Sequence, residues 1–373
     1  MPGVAAFFGG WRGLGRFWGT ILGMMVATAA TLQILGPPPT RRAEAVVTQH
    51  SAPPAPHVVQ QAPPYVMQQA PAHVVQQAPA HVVQQAPARL ATPVEQPGRN
   101  LPGPVNDPDP ALQEPAPGLP AAQLPRISAD GRKPMQHYAA GFDPTSTRPR
   151  VGILLAGIGL SFADSKKAIT DLPPQVTFAM SPYTVNAEPL LSSARLLGHE
   201  YLLSIPMEPL RFPLSDAGPN ALMTTLSPDQ NRPRLVWALS RMQGYAGATS
   251  ILGALRGERL ADVPDQIEPV LQELQLRGLM YVGAPGQPSP VRHAWSRHID
   301  IVIDEPATAA EIDARLALLE SMARDHGFAL GLAGAPRPIT VDRIAAWTTG
   351  LVNRGLALAP VSALMLPPED KPK

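Results

Sequence analysis

The chain has no cysteine among its 373 residues. Disulfides and thiolate chemistry are therefore excluded, although the absence suits an oxidising and a reducing compartment equally. An excess of one charge is also lacking: 30 Lys and Arg stand against 29 Asp and Glu, and the net charge is +1. No dense basic cluster is interleaved with aromatic residues, so nucleic acid is not an expected partner. Nucleotide loops are missing too. Gly157-Ile158-Gly159 closes an apolar run at a strand-to-helix turn, but the third small residue of a dinucleotide fingerprint would fall at Phe162. Ala179, Met180 and Ser181 stand where the next strand would end in an acid, and no G-x-x-x-x-G-K-S/T occurs.

What the chain has in excess is proline. Its 47 prolines are concentrated before residue 150, against an ordinary usage of roughly 5%, which leaves one ordinary core, about Pro149 to Leu366. At the N-terminus, Arg12 and Arg16 precede Phe17 to Leu35, an uncharged stretch of about 19 residues that is just long enough to cross a hydrocarbon core. Two readings stay open. A membrane anchor, the favoured one, rests on that length, on Trp11 and Trp18 at the entry interface, and on Pro37 to Pro39 as a helix stop. A cleaved signal rests on Ala27-Thr28-Ala29 as a small-residue cleavage site. Arg41 and Arg42 on the far side weaken the positive-inside argument, so the N-terminus is placed in the cytoplasm mainly because of the long tether and folded domain C-terminal to the segment. The expectation is an inner-membrane anchor over residues 1–36 with the folded domain in the periplasm, or a periplasmic or secreted protein if the segment is cleaved.

From Pro37 to Arg148 the sequence is dominated by Pro, Ala and Gln and contains an octapeptide repeat: HVVQQAPP, YVMQQAPA, HVVQQAPA and HVVQQAPA, starting at His57, Tyr65, His73 and His81. Such a composition buries too little apolar area to offset the entropy of ordering and reads as a disordered, extended tether over residues 37–148. The repeated histidines invite a metal-binding reading. Single histidines spaced along a flexible chain bring no preorganised geometry, so the plain tether is preferred.

After Pro149 short apolar runs alternate with helical stretches. Strands are expected at VGILLAGIG, VTFAMS, EYLLSIP, GATSILGA, LMYVGA, IDIVIDE, ALGLAGA and LALAPVSAL. Ser161 with Asp164, and Ser227 before Pro228, carry helix-start signals; Gly198 and Gly278 read as helix ends. Strands that are apolar on both faces and alternate with helices predict an α/β domain over residues 149–366 with a parallel sheet, and a tail from 367 to 373. Either a closed barrel or a doubly wound sheet satisfies the pattern, and both keep function at the C-terminal strand ends.

In order along the chain, VTFAMSPY, GHEYLLSIPMEP, the DAGP of Asp216 to Pro219, LSRMQGYAGA, ELQLRGLMYVGA, IDIVIDE, GAPRP and PVSAL resemble the divergent polysaccharide deacetylase family. The resemblance implies an irregular (β/α) barrel, hydrolysis of N-acetyl groups on polysaccharide, and a divalent metal such as zinc. Members of the family carry an acidic pair at the end of the first strand, a His before P-M-E-P, an N-H-M-G-S segment, an Asp in the strand matching LMYVGA, and a His in G-H-P. Such oxygen and nitrogen ligands hold a metal with an open position beside a carboxylate base. This chain departs at each place. Ala156 and Gly157 replace the acidic pair, Ser204 the first His, Ile251 the next, Gly283 the strand Asp and Ala335 the last His. The nine histidines agree: none falls at the C-terminal end of a predicted strand, His298 being placed at a strand start and His199 ahead of another.

The polar side chains left at the expected functional end are Ser204, Glu208, Thr249, Ser250, Asp304, Glu305 and Arg337. Glu208 and Asp304 match family positions and are the catalytic candidates, with Ser204 a nucleophile lacking a base. Each acid also has a structural reading: Glu208 accepts backbone N–H groups and fixes a loop, and Asp304-Glu305 caps the next helix. The sequence thus points to an envelope protein whose barrel binds cell-wall glycan or another envelope protein without a metal. The alternative is an active deacetylase or hydrolase built on Glu208 and Asp304, and a weaker one is a scaffold that touches no glycan.

Overall fold

The structure, a computed structural model, describes Trp18, residues 102–286 and residues 294–368. The octapeptide repeats and, apart from Trp18, the expected membrane segment lie outside the described residues. Among the described residues no helix is long and apolar enough to cross a membrane.

The folded domain begins earlier than its composition suggests. Strands β1 (Gln113–Ala116) and β2 (Leu119–Pro125) form an antiparallel pair, followed by the short helix α1 (Pro134–His137). The tether expected to run to Arg148 is therefore corrected: residues 102–148 are part of the fold. Each strand of a two-stranded sheet turns one edge outward, where proline's missing N–H removes no ladder bond, so proline density alone does not forbid strands. Val105, Leu112, Leu124, Met135, Tyr138 and Phe142 supply the burial.

The main sheet is parallel. Its strands are β3 (Arg150–Ile158), β4 (Thr177–Met180), β5 (Tyr201–Ser204), β6 (Gly247–Thr249), β7 (Met280–Gly283), β8 (Ser296–His298), β9 (Ile301–Val302), β10 (Phe328–Ala333) and β11 (Ala357–Leu358). They run in the order β8-β7-β6-β5-β4-β3-β10-β9, with β11 added beside the start of β3. Of the two architectures the pattern allowed, the curled one is found. Ile299 N–H donates to Gly283 O at the end of β7 and Asp300 N–H to Leu330 O of β10, so one stretch of chain joins the two edges. The result is an irregular (β/α) barrel. β3 lies at its centre and is buried from Val151 to Ile158, as a strand covered on both faces must be.

Helices connect the strands: α2 (Phe162–Asp171), α3 (Glu188–Leu196), α4 (Pro228–Leu239), α5 (Glu258–Ala261), α6 (Pro264–Leu276), α7 (Ala309–His326) and α8 (Pro338–Thr348). Their starts follow the sequence signals. Ser161 accepts from Asp164 N–H at 3.4 Å, and Ser227 with Gln230 forms a full capping box ahead of Pro228. Helix α7 is capped by Thr308, not by Asp304 or Glu305 as expected.

Alternation along the strands separates two cores. Ile153, Leu155, Phe178, Met180 and Leu203 pack under the helices. Leu154, Ala156, Leu202, Val282 and Leu332 face the barrel interior, where Tyr138 and Phe142 from before the barrel and Val361 and Leu364 after it join them. The segments flanking the barrel, around residues 138–142 and 361–364, are thus drawn across its N-terminal end, and Glu200 fastens them. Its carboxylate is fully buried and accepts from Ala140 N–H at 2.9 Å, Thr177 Oγ1 at 2.9 Å, Ser362 N–H at 2.9 Å and Ser362 Oγ at 2.6 Å. His199 is buried, its ring nitrogens 2.9 Å from Val176 O and 3.1 Å from Ile169 O.

Candidate functional site

Parallel strands converge their C-terminal ends on one rim, and the barrel brings most of the candidate positions there. Ala156 and Ile251 belong to the interior apolar core. Ser204, two residues beyond Leu202, shares that inner face; it is fully buried and its hydroxyl has no hydrogen-bond partner among the described residues.

Gly157 has φ +75°, a left-handed conformation suited to glycine. A Cβ built there would lie 3.3 Å from Gly334 O and 3.5 Å from both Ala335 Cα and Gly253 Cα. Three loops therefore meet backbone to backbone where the family's acidic pair and last histidine would stand. Small residues permit the approach, and even a single Cβ at Gly157 would sit tighter than ordinary contact against Gly334 O.

Asp304 stands beside this contact, buried. It accepts from Gly334 N–H at 2.8 Å, pairs with Arg337 at 3.1 Å and receives Thr340 Oγ1 at 3.4 Å. Burial raises its pKa, while the Gly334 N–H and the Arg337 charge act against that rise. The carboxylate thus pins the loop between β10 and α8. Glu305 pairs with Arg256. Glu208, also buried, accepts from Thr224 N–H at 2.6 Å and Thr224 Oγ1 at 2.7 Å and pairs with Arg259 at 3.1 Å. No residue bonds both Glu208 and Asp304 among the described residues, so each carboxylate holds its own loop.

One histidine does reach the rim. His298 ends β8 in register with Gly283, which corrects its expected place at a strand start. The signal was hidden because the strand breaks at Ile299-Asp300, where it changes partners from β7 to β10. His298 is half-buried with Nδ1 3.3 Å from Ala284 O, and burial lowers its pKa.

The divalent metal implied by the family does not fit these residues. Such a metal needs several nitrogen or oxygen ligands on one point, and among the described residues no three His, Cys, Asp or Glu side chains converge. With Asp304 fixing the rim, Asp304→Ala is expected to cost about 2 kcal/mol of stability, because it orphans the Gly334 N–H and frees Arg337. Asp304→Asn, which keeps an acceptor for Gly334, is expected to cost less. Equal urea midpoints for wild type and the alanine variant would exclude this role.

A parallel (β/α) barrel with its polar remnant gathered at the C-terminal rim has the frame of a carbohydrate deacetylase. The chain belongs to the divergent polysaccharide deacetylase family, whose model matches residues 153–365. It is similar to the solved structure of an uncharacterised protein from Agrobacterium tumefaciens C58, with 32% identity and a TM-score of 0.61 over 65% of this chain and 99% of that one. It is more distantly similar to the catalytic domain of a peptidoglycan N-acetylglucosamine deacetylase from Eubacterium rectale ATCC 33656, with 12% identity and a TM-score of 0.38 over 62% and 96% of the two chains. Among curated proteins none matches significantly.

Proposed function

We propose that this protein is a metal-free member of its family, a pseudoenzyme of the cell envelope whose barrel binds cell-wall glycan. The observation that carries this reading is the meeting of Gly157, Gly253, Gly334 and Ala335 at the rim where the family's catalytic chemistry would sit. A chain that keeps a carbohydrate-acting fold while its rim carries small residues in place of metal ligands is suited to bind glycan without cleaving it. The N-terminal segment would hold the domain at the inner membrane, facing the periplasm.

The active-enzyme reading needs Glu208 and Asp304 in one cleft, and their separate hydrogen-bonded duties argue against it. A protein partner in place of glycan is the second reading to be tested. The full chain, supplied with zinc and N-acetylated glycan fragments, is expected to give no turnover and to be retained on purified peptidoglycan. Turnover together with stoichiometric metal would overturn the pseudoenzyme assignment. Failure to be retained above a control protein would remove glycan. A reporter fused to the C-terminal end is expected to be active only outside the cytoplasm.

A further inference from the structure

Among the described residues, two adjoining cavities lie at the opposite end of the barrel from the rim. A cavity of about 660 Å³ opens between the segment 143–148 and the end of α8, lined by Thr145, Gln175, Thr349, Leu351 and Leu358 among others. A second, of about 420 Å³, opens on the other side of the same segment, against Arg150, Trp295, Phe328 and Leu366. Both lie within the size range of small-molecule sites, which runs from roughly 300 to 1,000 Å³. Ser146, Thr147 and Arg148 line both, so the two cavities adjoin across these three residues, their shared wall, and together they make up the groove at the base of the barrel.

The wall is unengaged. Within the described residues the Ser146 and Thr147 hydroxyls and the Arg148 guanidinium make no hydrogen bond, and Thr147 and Arg148 are exposed. The nearby acid, Asp143, is turned onto its own loop, accepting from Thr145 N–H at 2.9 Å and Thr145 Oγ1 at 2.7 Å. Arg148 and Arg150 therefore leave the groove cationic. Its apolar lining includes a half-buried Trp295, the Phe328 edge, the exposed Val352 and a part-buried Pro173.

We propose that this groove binds a linear glycan bearing carboxylates, with Arg148 reading the charge and Trp295 supporting a sugar ring. A sugar presents hydroxyls around its edge and a C–H face above, which matches free hydroxyls and a guanidinium set beside a flat aromatic surface. A peptide of the chain's own apolar repeat would want deep apolar pockets, and the groove has none along its hydroxyl wall. The inference rests on the glycan-binding reading and gives it a place: the base of the barrel rather than the rim.

The test uses the full chain, purified peptidoglycan and soluble N-acetylglucosamine oligomers with and without carboxylates. Arg148→Glu alters an exposed, unbonded side chain and is expected to weaken binding of the carboxylate-bearing oligomer at least tenfold, the loss typical of a charge-assisted hydrogen bond. Trp295→Ala is expected to weaken both oligomers. Leu160→Glu, on the exposed surface at the opposite rim, is expected to change neither. Unaltered binding by Arg148→Glu and Trp295→Ala beside a loss in Leu160→Glu would overturn the groove and leave the glycan reading standing. Absence of binding by wild type would overturn both. Binding of a synthetic HVVQQAPA peptide in place of glycan would overturn the ligand class.

Discussion

Glu200→Ala is expected to lose about 4 kcal/mol or more, enough to leave most small domains barely folded. The substitution strands two backbone N–H groups, at Ala140 and Ser362, and two hydroxyls, at Thr177 and Ser362, in a site without solvent. Each orphaned donor costs about 1–3 kcal/mol, and the donors cannot all find replacements. The loss is larger than for a surface acid because Glu200 joins residue 140, strand β4 and the 3₁₀ turn Val361–Leu364, so that both flanking segments come loose from the base together. Ser362→Ala in the same background is expected to add little, since the two side chains share one network.

The charge state gives a second reading of the same group. Burial raises the Glu200 pKa above its ordinary 4.5, and the Ser362 and Ala140 donors only partly oppose it. The unfolded chain thus gives up this proton at lower pH than the folded one does. The group's contribution falls as pH rises through about 4.5 and levels off above the folded value. Glu200→Gln does not titrate, so its stability deficit against wild type is expected to be widest at the acid end of that window and to narrow as pH rises. Urea unfolding of both chains across the window measures this. A deficit that widens with rising pH would mean that the carboxylate is stabilised in its charged form after all.

The sequence made the barrel legible because its strands are buried on both faces. Runs such as VGILLAGIG and VTFAMS have no alternation to confuse with a surface strand, and the helices between them carry capping residues that local chemistry requires. The base of the barrel was not legible. Val105, Leu112, Tyr138 and Phe142 are spread singly through a proline-rich stretch, and isolated apolar residues show no period until a sheet gathers them. The groove wall at Ser146 to Arg148 was lost with them, since it falls inside what reads as tether. Asp304 shows the converse. Its position at the rim followed from IDIVIDE, but that it would hold Gly334 and Arg337 rather than cap α7 depends on residues 30 or more places away.

Gly157→Asp, which restores part of the family's acidic pair, is expected to cost about 3 kcal/mol or more and to bring no metal. A φ of +75° penalises a non-glycine residue by roughly 1–2 kcal/mol. The new Cβ would press on Gly334 O at 3.3 Å, and its carboxylate would enter beside that carbonyl and the buried Asp304, where like charge and desolvation both oppose it. Gly157→Ala separates the terms: it retains the conformational and steric cost without the charge, and is expected to fall between wild type and Gly157→Asp. Adding Ala156→Asp, Ser204→His, Ile251→His, Gly283→Asp and Ala335→His to Gly157→Asp restores all six replaced positions. The combination is expected to unfold at still lower urea concentration and to take up no stoichiometric zinc, because the loops that would have to part to admit the metal are the ones packed at Gly253 and Gly334. A Gly157→Asp chain with a wild-type midpoint would show that the rim is not packed shut. Stoichiometric zinc in the combined variant would show that the loops part after all, and that the family's chemistry was lost only through its side chains.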